Sequence, residues 1–166
     1  MRAVNDTANR SVARFSKHRT ERDSMSAALT PLAVHPAAFL APLAIWLLMA
    51  ALAVANGIVR ETVIVPRIGE YRGHVLSTAV LVCLILAVSW TYFALTTTTY
   101  TRTELLLVGV GWTVLTVGFE FLVGHLEGTP VSVTLGQYDV TAGQVWIAVP
   151  LTLLAAPLLF GTVFSS

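Results

Sequence analysis

The chain has 166 residues, of which 55% are apolar and 11% charged, with a net charge of +1 and a mean hydropathy of +0.75. Soluble domains are about one-quarter charged, and the shortfall leaves too little polar surface to coat a core, so a polytopic membrane protein is expected in place of a water-soluble globule. The lone cysteine, Cys83, rules out an intrachain disulfide, a CxxC redox pair with its quinone-linked disulfide chemistry, and a thiolate metal cluster; no basic block with interleaved aromatics marks a nucleic-acid partner.

Residues 1–35 are polar and basic, holding Arg2, Arg10, Arg14, Lys17, Arg19 and Arg22 against Asp6, Glu21 and Asp23. They are expected to form a flexible cytoplasmic tail, with VARFSKH as a weakly amphipathic piece, ahead of a transmembrane domain over residues 36–163. A cleaved signal is not expected, because its apolar region is only about 7–15 residues long and the first apolar run here is longer. That run gives a span over about 37–59, with Pro36 in the first turn, where a missing N–H is harmless, and Pro42 early enough to bend the helix without breaking it.

Arg60 to Gly73 is charged and contains Pro66 and Gly69, which reads as an ordered surface loop. A second span follows over about 74–96, then a tight threonine turn, Thr97 to Tyr100. The third span, about 103–125, is announced by Thr101-Arg-Thr-Glu104, a capping box. In the connection Leu126 to Val140, VSVTL alternates and reads as a short strand or an interfacial segment. Thr141-Ala-Gly-Gln144 is a second capping-box pattern, opening a fourth span over about 142–162 that carries Pro150 and Pro157; buried prolines are tolerated where neighbours take up the freed carbonyls. The expected fold is all-α: a compact bundle of four transmembrane helices. No internal repeat supports an inverted-repeat transporter.

Basic residues set the expected orientation. With the amino terminus inside, seven basic residues, the six of the tail and Arg102, face the cytoplasm and three, Arg60, Arg67 and Arg72, face outward. The positive-inside rule then places both termini in the cytoplasm of a multi-pass protein of the inner or plasma membrane.

Four alternating spans collect the intramembrane polar residues at the outer end: Asn56, Arg60 and Glu61 from the first; Glu70, His74 and Ser77 from the second; Glu120, His125 and Glu127 from the third; Tyr138, Asp139, Gln144 and Trp146 near the fourth. Asn56 shares a helix face with Arg60, as His74 does with Ser77 and Thr78. Glu120 and His125 are rotated about 140° apart on one helix, so their partners belong on other helices. Glu120 lies about 7 Å inside a span ending at His125, too deep for an uncompensated charge. Two readings stay open for it. One is a structural link to Arg60, Asn56 or Gln144; the other is a site for a proton, ion or ligand.

His74 and His125, at similar depth on different spans, are also candidate ligands for haem, or for a transition metal completed by Glu120 or Glu61; zinc would need a carboxylate or water in place of thiolates. No cofactor is otherwise expected. HExxH, GxSxG, the P-loop and the dinucleotide fingerprint are all missing, and the Ser77–His74 pair has nothing to orient it as a nucleophile. The expected partners are the lipid bilayer and, through Gly111 and Gly118 as close-contact positions, a second copy or another membrane protein.

The runs NGIVRETVIVPRIGEYRGH (Asn56 to His74) and FEFLVGH (Phe119 to His125), with Tyr138-Asp139, Gly143 and Trp146, resemble a family of small four-helix bacterial integral membrane proteins of uncharacterised function. The resemblance covers about residues 40–159 and implies the four-helix topology, not a chemistry. Where that family often reads Gly-Arg, this chain has Gly143-Gln144, so the resemblance does not imply an anion site drawing on all four helices. The sequence thus leads to a membrane protein whose outer polar cluster binds or relays a small ligand, ion or proton, or stabilises the bundle for a partner; the alternative is a redox protein or enzyme built on His74 and His125.

Overall fold

The first apolar run folds as helix α1, Leu40–Val59, in the computed structural model, which describes Lys17 and residues 39–139, 141 and 143–164. Apart from Lys17, the tail expected over 1–35 and the first-turn role of Pro36 lie outside the described residues. Pro42 falls in the first turn of α1 and is buried, and its carbonyl accepts the indole N–H of Trp112 at 2.9 Å.

The expected loop between Arg60 and Gly73 is helical instead. Residues Arg60–Ile64 form one π-helical turn, in which the Val65 N–H reaches back to the Arg60 carbonyl, and the chain continues as α2, Val65–Ile68. Pro66 has no N–H to offer the Thr62 carbonyl, and a widened turn is a common way to absorb such a defect. The charges that suggested a loop sit on helical positions: Arg60 pairs with Glu61, and Arg67 donates to the Val63 carbonyl at 2.7 Å. Only Gly69, at φ 85°, leaves helical geometry, a conformation that glycine alone adopts without strain.

Helix α3, Glu70–Leu95, begins directly after it. The threonine connection leads to α4, Arg102–Leu126, whose capping box is formed as expected: Glu104 N–H donates to Thr101 Oγ1 at 3.2 Å and Thr101 N–H donates to Glu104 Oε2 at 2.9 Å. VSVTL is neither a strand nor extended; it is the short helix α5, Val131–Gly136, launched from Pro130. The second capping box does not form at a helix start. Asp139 Oδ1 takes the Thr141 N–H at 2.9 Å, Gly143 turns the chain at φ 77°, and the last helix, α6, starts only at Ala148 and runs to Phe164.

Helices α1, α3 and α4 are each long and apolar enough to cross a membrane, whereas α6 has 17 residues. Leu47, Ile58, Leu76, Val114 and Leu122 stand exposed on the three long helices, as lipid-facing residues do. The buried core is comparatively narrow, with Leu81 and Ile85 of α3, Leu105, Val108 and Trp112 of α4, and Val149, Leu153 and Ala156 of α6 at its centre. Helix α6 packs on both α3 and α4, and α1 lies against α3. At Gly109 α4 meets the backbone of α6 directly: a Cβ there would stand 2.5 Å from the Leu154 carbonyl oxygen. Gly111 and Gly118, expected as close-contact positions toward a second copy or another membrane protein, have nothing within 4 Å of an added Cβ among the described residues of the single chain.

Candidate functional site

The chain direction of the helices brings the end of α1, the start of α3, the end of α4 and the approach to α6 to one end of the bundle. Polar side chains from all four meet there. Asn56 Nδ2 donates to the Ser77 carbonyl at 3.1 Å, and Ser77 Oγ caps the His74 carbonyl at 3.0 Å. Arg60 holds the exposed Glu61 through Nε and Nη2, both 2.9 Å from Oε1, while Nη1 approaches His74 Nδ1 at 3.4 Å.

That last contact, at the long end of hydrogen-bond range, fits one tautomer of the neutral imidazole. Guanidinium only donates, so Nδ1 accepts and the ring proton sits on Nε2. Nε2 is buried and has no hydrogen-bond partner among the described residues. The ring also packs against Trp146, with centroids 6.1 Å apart and planes tilted by 37°.

Trp146 links the histidine to Glu120. Its Nε1–H donates to Glu120 Oε1 at 2.8 Å, and the Tyr138 hydroxyl donates to Oε2. Both carboxylate oxygens are therefore held by neutral donors from the α4–α6 connection, with none of the charge compensation by Arg60 considered from sequence. Since an indole can only donate, Oε1 is committed as an acceptor; a proton taken up by Glu120 goes on Oε2 and reverses the Tyr138 contact, the phenol oxygen then accepting. Burial, then the Glu120 bond, pushes the Tyr138 hydroxyl well above its usual pKa, which keeps it a neutral donor. The connection is tied down further by Asp139, whose Oδ1 takes the Thr141 hydroxyl at 2.5 Å, and by the Tyr71 hydroxyl, 3.5 Å from the Gly143 carbonyl.

The candidates from sequence divide accordingly. Asn56, Arg60, Glu61, His74 and Ser77 form one connected group, and Glu120 joins it through Trp146. Glu70 is exposed at the first position of α3. Gln144 contributes its backbone N–H to the Asp139 carbonyl at 3.2 Å and is not a partner of Glu120. His125 is exposed in the last turn of α4. No three His, Cys, Asp or Glu side chains converge to hold a metal among the described residues, so His74, His125 and Glu120 are not assembled as a donor set.

Tyr138 and Trp146 were legible as polar aromatics at this end, but their claim on Glu120 was not. The signal was available in their chemistry: a carboxylate inside an apolar helix needs donors, and phenol and indole are donors that carry no charge into the membrane.

Fold and site together define a mostly helical protein with several membrane-length apolar helices and a polar group of side chains at one bundle end. Comparison of the chain with protein-family models, curated proteins and solved structures finds no match, so the two motifs take their meaning from their geometry here.

Proposed function

We propose that the chain is a four-span membrane protein with both termini in the cytoplasm, and that the polar cluster at its outer end takes up and passes on a small species, the proton foremost. The fourth span is α6: its 17 residues extend about 26 Å, close to the roughly 30 Å hydrocarbon core, and the anchored turn before it lengthens the crossing. The seven-to-three distribution of basic residues supports the orientation.

One observation carries the functional reading: Glu120 sits within a membrane-length helix, held on both oxygens by neutral donors, and Trp146 links it to a histidine whose buried Nε2–H has no acceptor among the described residues. A purely structural carboxylate in hydrocarbon would gain most from a cation, and Arg60 is spent on Glu61 and His74 instead. The π-turn that begins at Arg60 supports the same reading, since such turns recur at functional sites.

Infrared difference spectra of the protein in lipid, recorded between acidic and neutral pH, test this. A carboxyl band that is lost in Glu120→Gln and displaced in Tyr138→Phe is the expected result. If the Glu120→Gln spectrum matches that of the unchanged protein, no proton is held there and the reading fails.

A further inference from the structure

Three buried side-chain polar atoms have no hydrogen-bond partner among the described residues: His74 Nε2, Thr78 Oγ1 and Ser89 Oγ. All three belong to α3. At about 100° per residue, Thr78 and Ser89 lie only about 40° and 60° around the helix from His74, so they form one stripe on the buried face. From His74 to Ser89 the stripe covers about 22 Å of helix rise. Orphaned polar atoms are costly in a protein interior and more so at membrane depth, where no bulk water can reach them, yet this chain places three in register.

We infer that the buried face of α3 is a proton path joining the two ends of the bundle, running from His74 through Thr78 and Ser89 to the Tyr92–Tyr100 hydroxyl pair. It rests on the proposed reading of the outer cluster as a place of proton uptake, and adds where the proton goes. Tyr92 falls at nearly the same angle as His74; its hydroxyl is 2.5 Å from that of Tyr100. Beyond them lies a cavity of about 290 Å³ lined by Thr96, Thr97, Thr98, Thr99 and Tyr100 together with Phe93, Gly161 and Phe164.

The chemistry of the stripe selects the proton. It carries hydroxyls and an imidazole and no charged side chain, so it offers hopping stations but nothing to compensate a dehydrated metal ion. A proton arriving at Nδ1 of His74 displaces the Arg60 contact; the proton on Nε2 then leaves toward Thr78, and the imidazole is again neutral, its remaining proton now on Nδ1. Return to the starting tautomer, by ring rotation or by proton exchange, completes the cycle.

Between Thr78 and Ser89 the stripe is closed by Leu81 and Ile85, 2% and 3% exposed. An apolar constriction of this kind gates by wetting. Counting from the His74–Trp146 ring contact, Leu153 and Pro157 of α6 stand as far along as Leu81 and Ile85 of α3, and Pro157 withholds the N–H that the Leu153 carbonyl would otherwise receive.

The test is proton flux into liposomes containing the full chain and an internal pH dye, driven by a potassium diffusion potential. Flux should exceed that of protein-free liposomes, fall at least tenfold in Thr78→Val and in Ser89→Ala, survive in Thr78→Ser, and rise in Leu81→Ser. Folding of each variant is checked by helicity and elution volume; if Leu81→Ser does not fold, Ile85→Ser takes its place. Flux equal to that of empty liposomes in both the unchanged protein and the gate variant overturns the path. So does flux indifferent to Thr78→Val and Ser89→Ala, or osmotic water passage without protons. Loss of the path while the Glu120 carboxyl band persists would leave the outer uptake site standing by itself.

Discussion

The indole of Trp146 donates to Oε1 of Glu120 at 2.8 Å while its ring lies 6.1 Å, centroid to centroid, from that of His74, so one side chain from the α4–α6 connection couples a helix-borne carboxylate to the imidazole of another helix. Trp146→Phe keeps the packing and removes the N–H. Leaving a buried acceptor unsatisfied costs about 1–3 kcal/mol, and thermal unfolding in detergent should fall accordingly. Glu120→Leu in the Trp146→Phe background should recover part of the loss, because the pair is removed together. A double-mutant cycle giving no coupling between positions 120 and 146 would refute the link.

The position of the His74 proton follows from Arg60. With the guanidinium donating to Nδ1 at 3.4 Å, the neutral ring carries its proton on Nε2. Nitrogen NMR of ring-labelled protein should show this tautomer for His74, assigned by its absence in His74→Gln. Arg60→Gln, whose amide can either donate or accept, should give a mixture of tautomers. Retention of a single Nε2–H form in that variant would mean that another group fixes the ring.

Much of the bundle was readable from sequence because bilayer-length apolar runs and the Thr101–Glu104 box are local signals. What failed was local as well, but ambiguous. Arg60, Glu61, Pro66 and Arg67 have the composition of a loop, and only the π-turn and the single Gly69 break show how a helix accommodates them. Thr141 and Gln144 have capping-box spacing, yet Asp139 captured the threonine first. The gathering of Asn56, Arg60, His74, Ser77 and Glu120 at one end follows from alternating helices, and so was within reach. Their pairing was not, since it depends on how the α4–α6 connection folds back to deliver Tyr138 and Trp146, which no periodicity encodes. Ser89 shows the same limit: a lone serine in an apolar run says nothing until its burial is known.

Glycine roles separate sharply in α4. A methyl group at Gly109 would press on backbone, the Leu154 carbonyl at 2.5 Å, which cannot rotate away, whereas one at Gly111 would meet nothing within 4 Å among the described residues. Gly109→Ala should therefore part α4 from α6 and destabilise by about 1–3 kcal/mol, the usual range for overpacking. Gly111→Ala should be neutral or stabilising by up to about 1 kcal/mol, through the helix preference for alanine over glycine. Unfolding midpoints of the two variants in the same detergent compare them directly; equal effects would show that the α4–α6 approach is looser than these distances.

Alkaline pH should destabilise the fold through two tyrosines. Burial first, then the Tyr92 hydrogen bond, pushes the Tyr100 hydroxyl far above its ordinary pKa of 10.0; burial and the Glu120 bond do the same for Tyr138. Both phenols stay protonated in the folded chain at pH values where the unfolded chain ionises. The unfolded state thus binds fewer protons above pH 10, and by linkage the stability falls as pH rises. Below pH 10 these two groups contribute no slope, because both states hold the proton. Tyr138→Phe and Tyr100→Phe should each flatten the decline above pH 10, even where loss of the hydroxyl lowers stability at neutral pH. Each should also remove a late component from the ultraviolet tyrosinate titration. A decline of unchanged steepness in both variants would assign alkaline unfolding to other groups and leave the two hydroxyls without the burial described for them.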